Sequence, residues 1–321
     1  MKLFHFQSVS CNFAKVQRVS TRPSISLIVF LLATILINPS FASAEIKKKY
    51  YPSGELMSET NYKNGKRNGI SKRYYESGKL KFEGNYKNDK LEGLLNKYYE
   101  NGNLEVKTNY KNGKLEGLAT GYHENGNLGY EENYKNGKLE GLLSNYDKSG
   151  QLKQSTNYKN GKVEGLAKIY YESGELKGEA NNKNGKLEGS YKNYYEGGQL
   201  VEKGKYKNGK LDGITKTYYE SGKLRAEANY KNGKRNGISK RYYESGELEA
   251  EENYINDKVE GIGKLFFKNG KLKEEVNLKN GKLEGIYKEY YPNGKLKREL
   301  NFVNGKQEGI LQGILRKWGI K

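Results

Sequence analysis

From Tyr50 to Gly309 the apolar positions fall into one register that returns every 24 residues. The stretch Tyr74–Lys97 reads YYESGKLKFEGNYKNDKLEGLLNK. In it Leu80, Phe82, Gly84 and Tyr86 alternate with Lys81, Glu83, Asn85 and Lys87. Alternation with period two predicts a half-buried strand. Asn88-Asp89 follows, and most other units have Asn-Gly there, as at Asn64-Gly65 and Asn112-Gly113. Asn-Gly between alternating segments predicts a two-residue type I′ hairpin, because that turn needs positive φ at both residues. Such a turn sets Tyr62 opposite Arg67, Tyr86 opposite Leu91 and Tyr110 opposite Leu115.

An unbroken glycine series, Gly69, Gly93, Gly117 and onward to Gly309, follows each hairpin tip. A glycine bulge with one extra residue would switch the inward parity of the strand after it. Ile70 and Tyr74, and equally Leu94 and Tyr98, are then expected in the core. The second turn, Glu76-Ser77-Gly78, fits a three-residue loop with glycine in the left-handed region, and sets Tyr74 opposite Leu80. The turn glycines from Gly54 to Gly294 step by 24 with no insertion, and the leucines from Leu56 to Leu296 do the same. Fixed periods of this length mark stacked supersecondary units. The predicted fold is all-β: an elongated, twisted, single-layer antiparallel meander of about eleven 24-residue β-hairpin repeats. At about 4.8 Å per strand the array is roughly 100 Å long. Residues 62–78 recur identically at 230–246, a mark of growth by duplication.

The pattern stops at both ends. Lys2, Lys15, Arg18 and Arg22 form a basic stretch without acids. An apolar run from Ile25 to Ile37 and an Ala42-Ser43-Ala44 site follow it. This predicts a secretory signal over residues 1–44, with the mature chain starting at Glu45. The run is too short to span a bilayer, which takes about 20 residues, so no transmembrane span is expected in the mature chain. The repeat array then covers 45–309. Residues 310–321, ILQGILRKWGIK, are expected to cap the last strand.

Composition sharpens this in two ways. Hydrophobic residues make up only 34% of the 321 residues, and 29 tyrosines carry much of the expected burial. The single cysteine, Cys11, leaves with the signal, so the mature chain has no disulfide or thiol chemistry. The mature chain has one histidine, His123, at a position where most repeats have Tyr. No cluster has metal-ligand spacing, no glycine run fits a phosphate loop, and identical residues repeat where an active site needs a unique set. No catalytic residue, cofactor or metal is predicted, and the protein is read as not an enzyme.

Candidate chemistry lies at the hairpin tips. Lysine occupies one tip position in every repeat, from Lys66 to Lys306, and a second from Lys63 onward except at Ile255 and Val303. The candidate contacts are Lys63, Lys66, Lys87, Lys90, Lys111, Lys114, Lys135, Lys138, Lys159, Lys162, Lys186, Lys210 and Lys234. A two-residue turn places like charges face to face, which is mildly unfavourable. That suggests an anionic partner. Solubility and protection of strand ends account for the same lysines, and Glu92, Glu116, Glu140 and Glu164 offset them in part. The row Tyr51, Tyr75, Tyr99, Tyr171, Tyr195, Tyr219 and Tyr243 is read as a stacking ladder.

The units resemble the MORN repeat in its bacterial variant form. The resemblance rests on Tyr74-Tyr75-Glu76-Ser77-Gly78-Lys79-Leu80 and on Tyr110-Lys111-Asn112-Gly113-Lys114-Leu115-Glu116-Gly117. It covers about residues 50–309. It implies tandem hairpins used for protein association and, in some members, membrane or phospholipid contact. Some variant-repeat proteins are labelled antitoxins. The leading expectation is therefore an exported scaffold, in the periplasm, on the surface or released, that binds a protein along an extended β surface. The alternatives are a peripheral binder of anionic membrane lipid or cell-wall polymer through the lysine rim, and an antitoxin-like neutralising protein. Export disfavours nucleic acid as a partner.

Overall fold

The computed structural model describes residues 44–309, within the unit Ala42–Lys321. The predicted signal segment before Ala44 and the predicted cap after Gly309 lie outside the described residues. The described residues form one open sheet of 28 antiparallel strands without a helix. Strand follows strand as a meander: β1 (Ala44–Tyr50), β2 (Leu56–Lys63), β3 (Lys66–Tyr74) and β4 (Leu80–Lys87) pair in chain order, and so do β5 (Lys90–Tyr98) and β6 (Leu104–Lys111). Some repeats split the second strand at the residue before the bulge glycine, as at Glu116 between Lys114–Leu115 and Gly117–Tyr122.

Both turns take the form their residues demand. Asn64 and Gly65 have φ of 53° and 74°, and Asn88 and Asp89 have 50° and 65°. Positive φ at both residues is the type I′ turn, and Asn and Asp tolerate it because their short side chains bond locally. Tyr62 opposes Arg67 and Tyr86 opposes Leu91, as the turn requires. At the other edge Gly78 N donates to Tyr75 O at 2.9 Å and Tyr75 N donates to Lys79 O at 2.8 Å. That closes a three-residue loop with Gly78 at φ 81° and Leu80 across from Tyr74.

The bulge differs from expectation. Gly84 opposes Leu95 and Tyr86 opposes Leu91, so Glu92, Gly93 and Leu94 together face Asn85. Two residues are inserted, not one, and an even insertion leaves parity unchanged. Leu91 and Leu95 share one face, while Leu94 falls on the other, beside Asn109. Ile70 and Leu94 are therefore not core residues; each is 47% exposed. Tyr74 and Tyr98 lie on that same outward face, half-buried.

The core occupies the opposite, inner face. Its central row includes Ser71, Thr108, Ala119, Leu143, Thr156 and Tyr191, all buried, with Thr156 at 1%. Among the described residues no second layer covers these side chains, so the burial seen comes from neighbours along the sheet. Large residues lean over small ones. A Cβ at Gly121 would sit 1.9 Å from the Tyr130 ring, and one at Gly204 would sit 2.8 Å from the Tyr191 ring. Glycine at these two positions makes room for an aromatic face.

Candidate functional site

The hairpin tips form one rim, and the lysines take the places the turn geometry assigns them. Lys63 opposes Lys66, Lys87 opposes Lys90, and Lys111 opposes Lys114. Lys135 opposes Lys138 and Lys159 opposes Lys162. Lys186, Lys210 and Lys234 oppose Lys183, Lys207 and Lys231. All are exposed, and none of the predicted contacts enters an ion pair within the described residues.

The rim glutamates act elsewhere. Glu92 Oε2 accepts the N–H of Asn112, twenty residues on, at 2.7 Å. Glu116, Glu140, Glu164, Glu188, Glu260 and Glu284 do the same for the next tip at 2.6–2.8 Å. Each tip is thus held by the repeat before it, with a second bond from its glycine, as from Gly113 N to Leu91 O at 2.8 Å. A carboxylate accepting a backbone N–H is a strong hydrogen bond. The expected role of these acids as partners of the tip lysines gives way to turn capping.

Two tips replace this cap. Where Asn68 and Asn236 stand at the glutamate position, the next tips carry Asp89 and Asp257 in place of glycine. Asp89 Oδ1 accepts Arg67 N at 2.9 Å and Arg67 Nε at 3.3 Å, and Arg67 lies 4.2 Å from the Tyr86 ring. These bonds, the Arg67 backbone N–H foremost, hold the Asp89 carboxyl below the usual range. Arg235, Asp257 and Tyr254 repeat the arrangement.

At the other edge the tyrosine ladder is a chain of hydrogen bonds. Tyr75 Oη donates to Tyr98 O and Tyr99 Oη to Tyr122 O, each at 2.8 Å. Tyr51, Tyr171, Tyr195, Tyr219 and Tyr243 reach the following repeat in the same way. His123 substitutes for tyrosine in kind: its Nε2 lies 3.0 Å from Tyr146 O, an acceptor, so Nε2 carries the proton. The ladder is broken twice, at Phe267, which has no hydroxyl, and at Asp147. Asp147 folds onto Ser149 and Gln151 instead, and these bonds, the Ser149 hydroxyl first, lower its pKa.

The outward face carries two features that sequence reading missed. Lys and Glu alternate down its centre, as in Glu59, Lys72 and Glu83, and Lys192 with Glu179 and Lys240 with Glu251 form ion pairs at 3.3 and 3.2 Å. Beside this ladder an aliphatic row stands in solvent: Ile70, Leu94, Leu118, Leu142, Ile214, Ile238, Ile262 and Ile286, each 46–57% exposed. Asparagines face them across the strands, as Asn85 faces Ile70. Among the described residues no group of His, Cys, Asp and Glu is placed to hold a metal ion, and no helix is long and apolar enough to cross a membrane.

Tandem hairpins with this turn chemistry define a class of β-repeat scaffold. The MORN repeat variant profile matches eleven times between residues 46 and 304, and the chain belongs to that family. No curated protein sequence matches it. The crystal structures of TcdB2-TccC3-TEV and TcdB2-TccC3 are similar at 14% identity and TM-score 0.17, over 80% and 81% of this chain. A Photorhabdus luminescens Tc holotoxin pore structure matches at 13% identity and TM-score 0.17, over 83% of this chain. The chain spans 15%, 18% and 17% of those chains, and so faint a likeness carries no argument.

Proposed function

We propose that this protein is an exported, non-enzymatic scaffold that binds a protein partner along the outward face of its sheet. One observation carries the reading: the exposed aliphatic row that runs beside the charge ladder. Aliphatic side chains in line on a polar face match what a protein partner buries at an interface. The periodic Lys and Glu beside them would fix register more than affinity. The basic and apolar N-terminal segment with its Ala42-Ser43-Ala44 site supports export. An antitoxin-like role would be one form of the same partner binding, with a toxin as the partner.

The test is affinity capture from a native cell-envelope extract at low and high salt, with a variant carrying Leu94→Ser, Leu118→Ser and Ile238→Ser beside the parent chain. One protein held by the parent at high salt and released by the variant is the expected result. Absence of any stoichiometric partner, or equal capture by both, sinks the reading.

A second reading has its own support in the opposed, unpaired tip lysines. It makes the protein a peripheral binder of anionic lipid or wall polymer. Binding of that kind weakens steeply between low and physiological salt, because exposed charges are screened. Retention that ignores salt excludes it.

A further inference from the structure

Among the caps of the lysine rim, one acid falls short. Eight repeats carry glutamate at this position and seven of them cap the next tip; Asp212 is one methylene shorter, and among the described residues no hydrogen bond reaches the N–H of Asn232, twenty residues on. The neighbouring tip bonds are intact: Gly233 N donates to Leu211 O at 2.8 Å, and Asn208 N is capped by Glu188 at 2.6 Å. An opening of about 520 Å³ lies here, lined by Lys207, Asn208, Lys210, Asp212, Lys231 and Asn232. Three ammonium groups outweigh one carboxylate. Other tips without a glutamate cap differ. Asp89 and Asp257 fold back on Arg67 and Arg235, and Asn64 follows β1, with no lysine tip before it.

The geometry points to an oxyanion site at this tip, taking a phosphate or phosphomonoester group. The group stands where a longer carboxylate would have stood. It accepts the free Asn232 N–H, while the lysines of two successive tips close around its oxygens. A backbone N–H with converging ammonium groups is the usual means of holding such an anion. This deepens the anionic reading of the rim, on which it rests, by assigning one tip out of eleven. Rim-wide attraction needs only the lysines; this site needs the short acid.

Asp212→Glu separates the two, because it keeps the net charge and every lysine. The full chain is dialysed to equilibrium against inorganic phosphate at low and physiological salt. One saturable site is expected, weakened at least tenfold in Asp212→Glu. Glu188→Asp, which opens the preceding tip, is expected to raise the stoichiometry toward two. Equal binding by the parent and Asp212→Glu overturns the site and leaves the rim-wide reading standing. Absence of any phosphate binding at low salt overturns the site, and the rim-wide reading falls with it only if anionic vesicles at low salt are not bound either. Vesicles of phosphatidylcholine with phosphatidic acid name the source. Vesicle binding lost in Asp212→Glu assigns a lipid headgroup, and phosphate binding without vesicle binding assigns a soluble phosphate.

Discussion

Leu142 and Leu143 are adjacent in one strand, yet one is 46% exposed and the other 7%. The same strands build both faces, so propensity and backbone bonding are shared. What differs is the neighbours. On the inner face large rings lean over glycine, alanine and threonine, and the row between them closes. On the outward face Lys, Glu and Asn stand beside each aliphatic residue and leave it wet. A single-layer sheet gains burial sideways, and only the face that alternates large with small achieves it.

The sharpest way to break this comparison is to fill an inner-face gap. Gly121→Leu drives a side chain into the Tyr130 ring, and overpacking predicts a loss of about 3 kcal/mol. Urea unfolding of the block that holds Gly121, followed by hydrogen exchange, checks it; a loss below about 0.5 kcal/mol would mean that the ring swings aside freely. Next comes the leucine pair. Leu143→Ala is expected to lose about 2 kcal/mol, the low end for a core leucine because the described neighbours of Leu143 all lie in its own sheet. Leu142→Ala should stay within about 0.5 kcal/mol of the parent. Equal losses would erase the distinction between the faces.

The smallest effect is alkaline. Burial foremost, then its hydrogen bond to Glu59, raises Tyr74 on the outward face to about 12. Burial, with Glu202 nearby, raises Tyr191 on the inner face as well. Folded values above the unfolded value of about 10 mean that both phenols stabilise the fold below that pH. The contribution fades as pH climbs from about 10 through 12. Phenolate absorbance is expected to rise later in the folded chain than in urea, and Tyr74→Phe should remove part of the delay. A folded titration centred at the unfolded value would refute it.

Much of this was legible in the chain. The Asn-Gly dipeptides gave the tip turns and their register, and Glu76-Ser77-Gly78 gave the second loop with Tyr74 opposite Leu80. The family followed from the same residues. The bulge was not legible, because glycine marks where a strand is interrupted and not how many residues are inserted. That one residue moved Ile70 and Leu94 from the expected core to the surface. The caps were hidden for another reason: Glu92 bonds Asn112, and nothing within a single repeat marks a partner twenty residues on. A signal did exist, since Asn68 and Asn236 are each followed by an Asn-Asp tip, a paired departure that only a comparison between repeats exposes.

Every side-chain tie between repeats, whether Glu92 to Asn112 or Tyr75 to Tyr98, reaches the adjacent unit and no farther. Cooperativity in such an array is therefore passed by hand from neighbour to neighbour. Melting begins at the outermost hairpins and travels inward, and a weak joint inside divides the array into blocks that open separately. The ladder lacks its tie at Asp147, where the side chain turns back on its own loop, and at Phe267, which has no hydroxyl to donate. These joints set natural boundaries, so hydrogen exchange should find the segments on either side of each opening with different free energies.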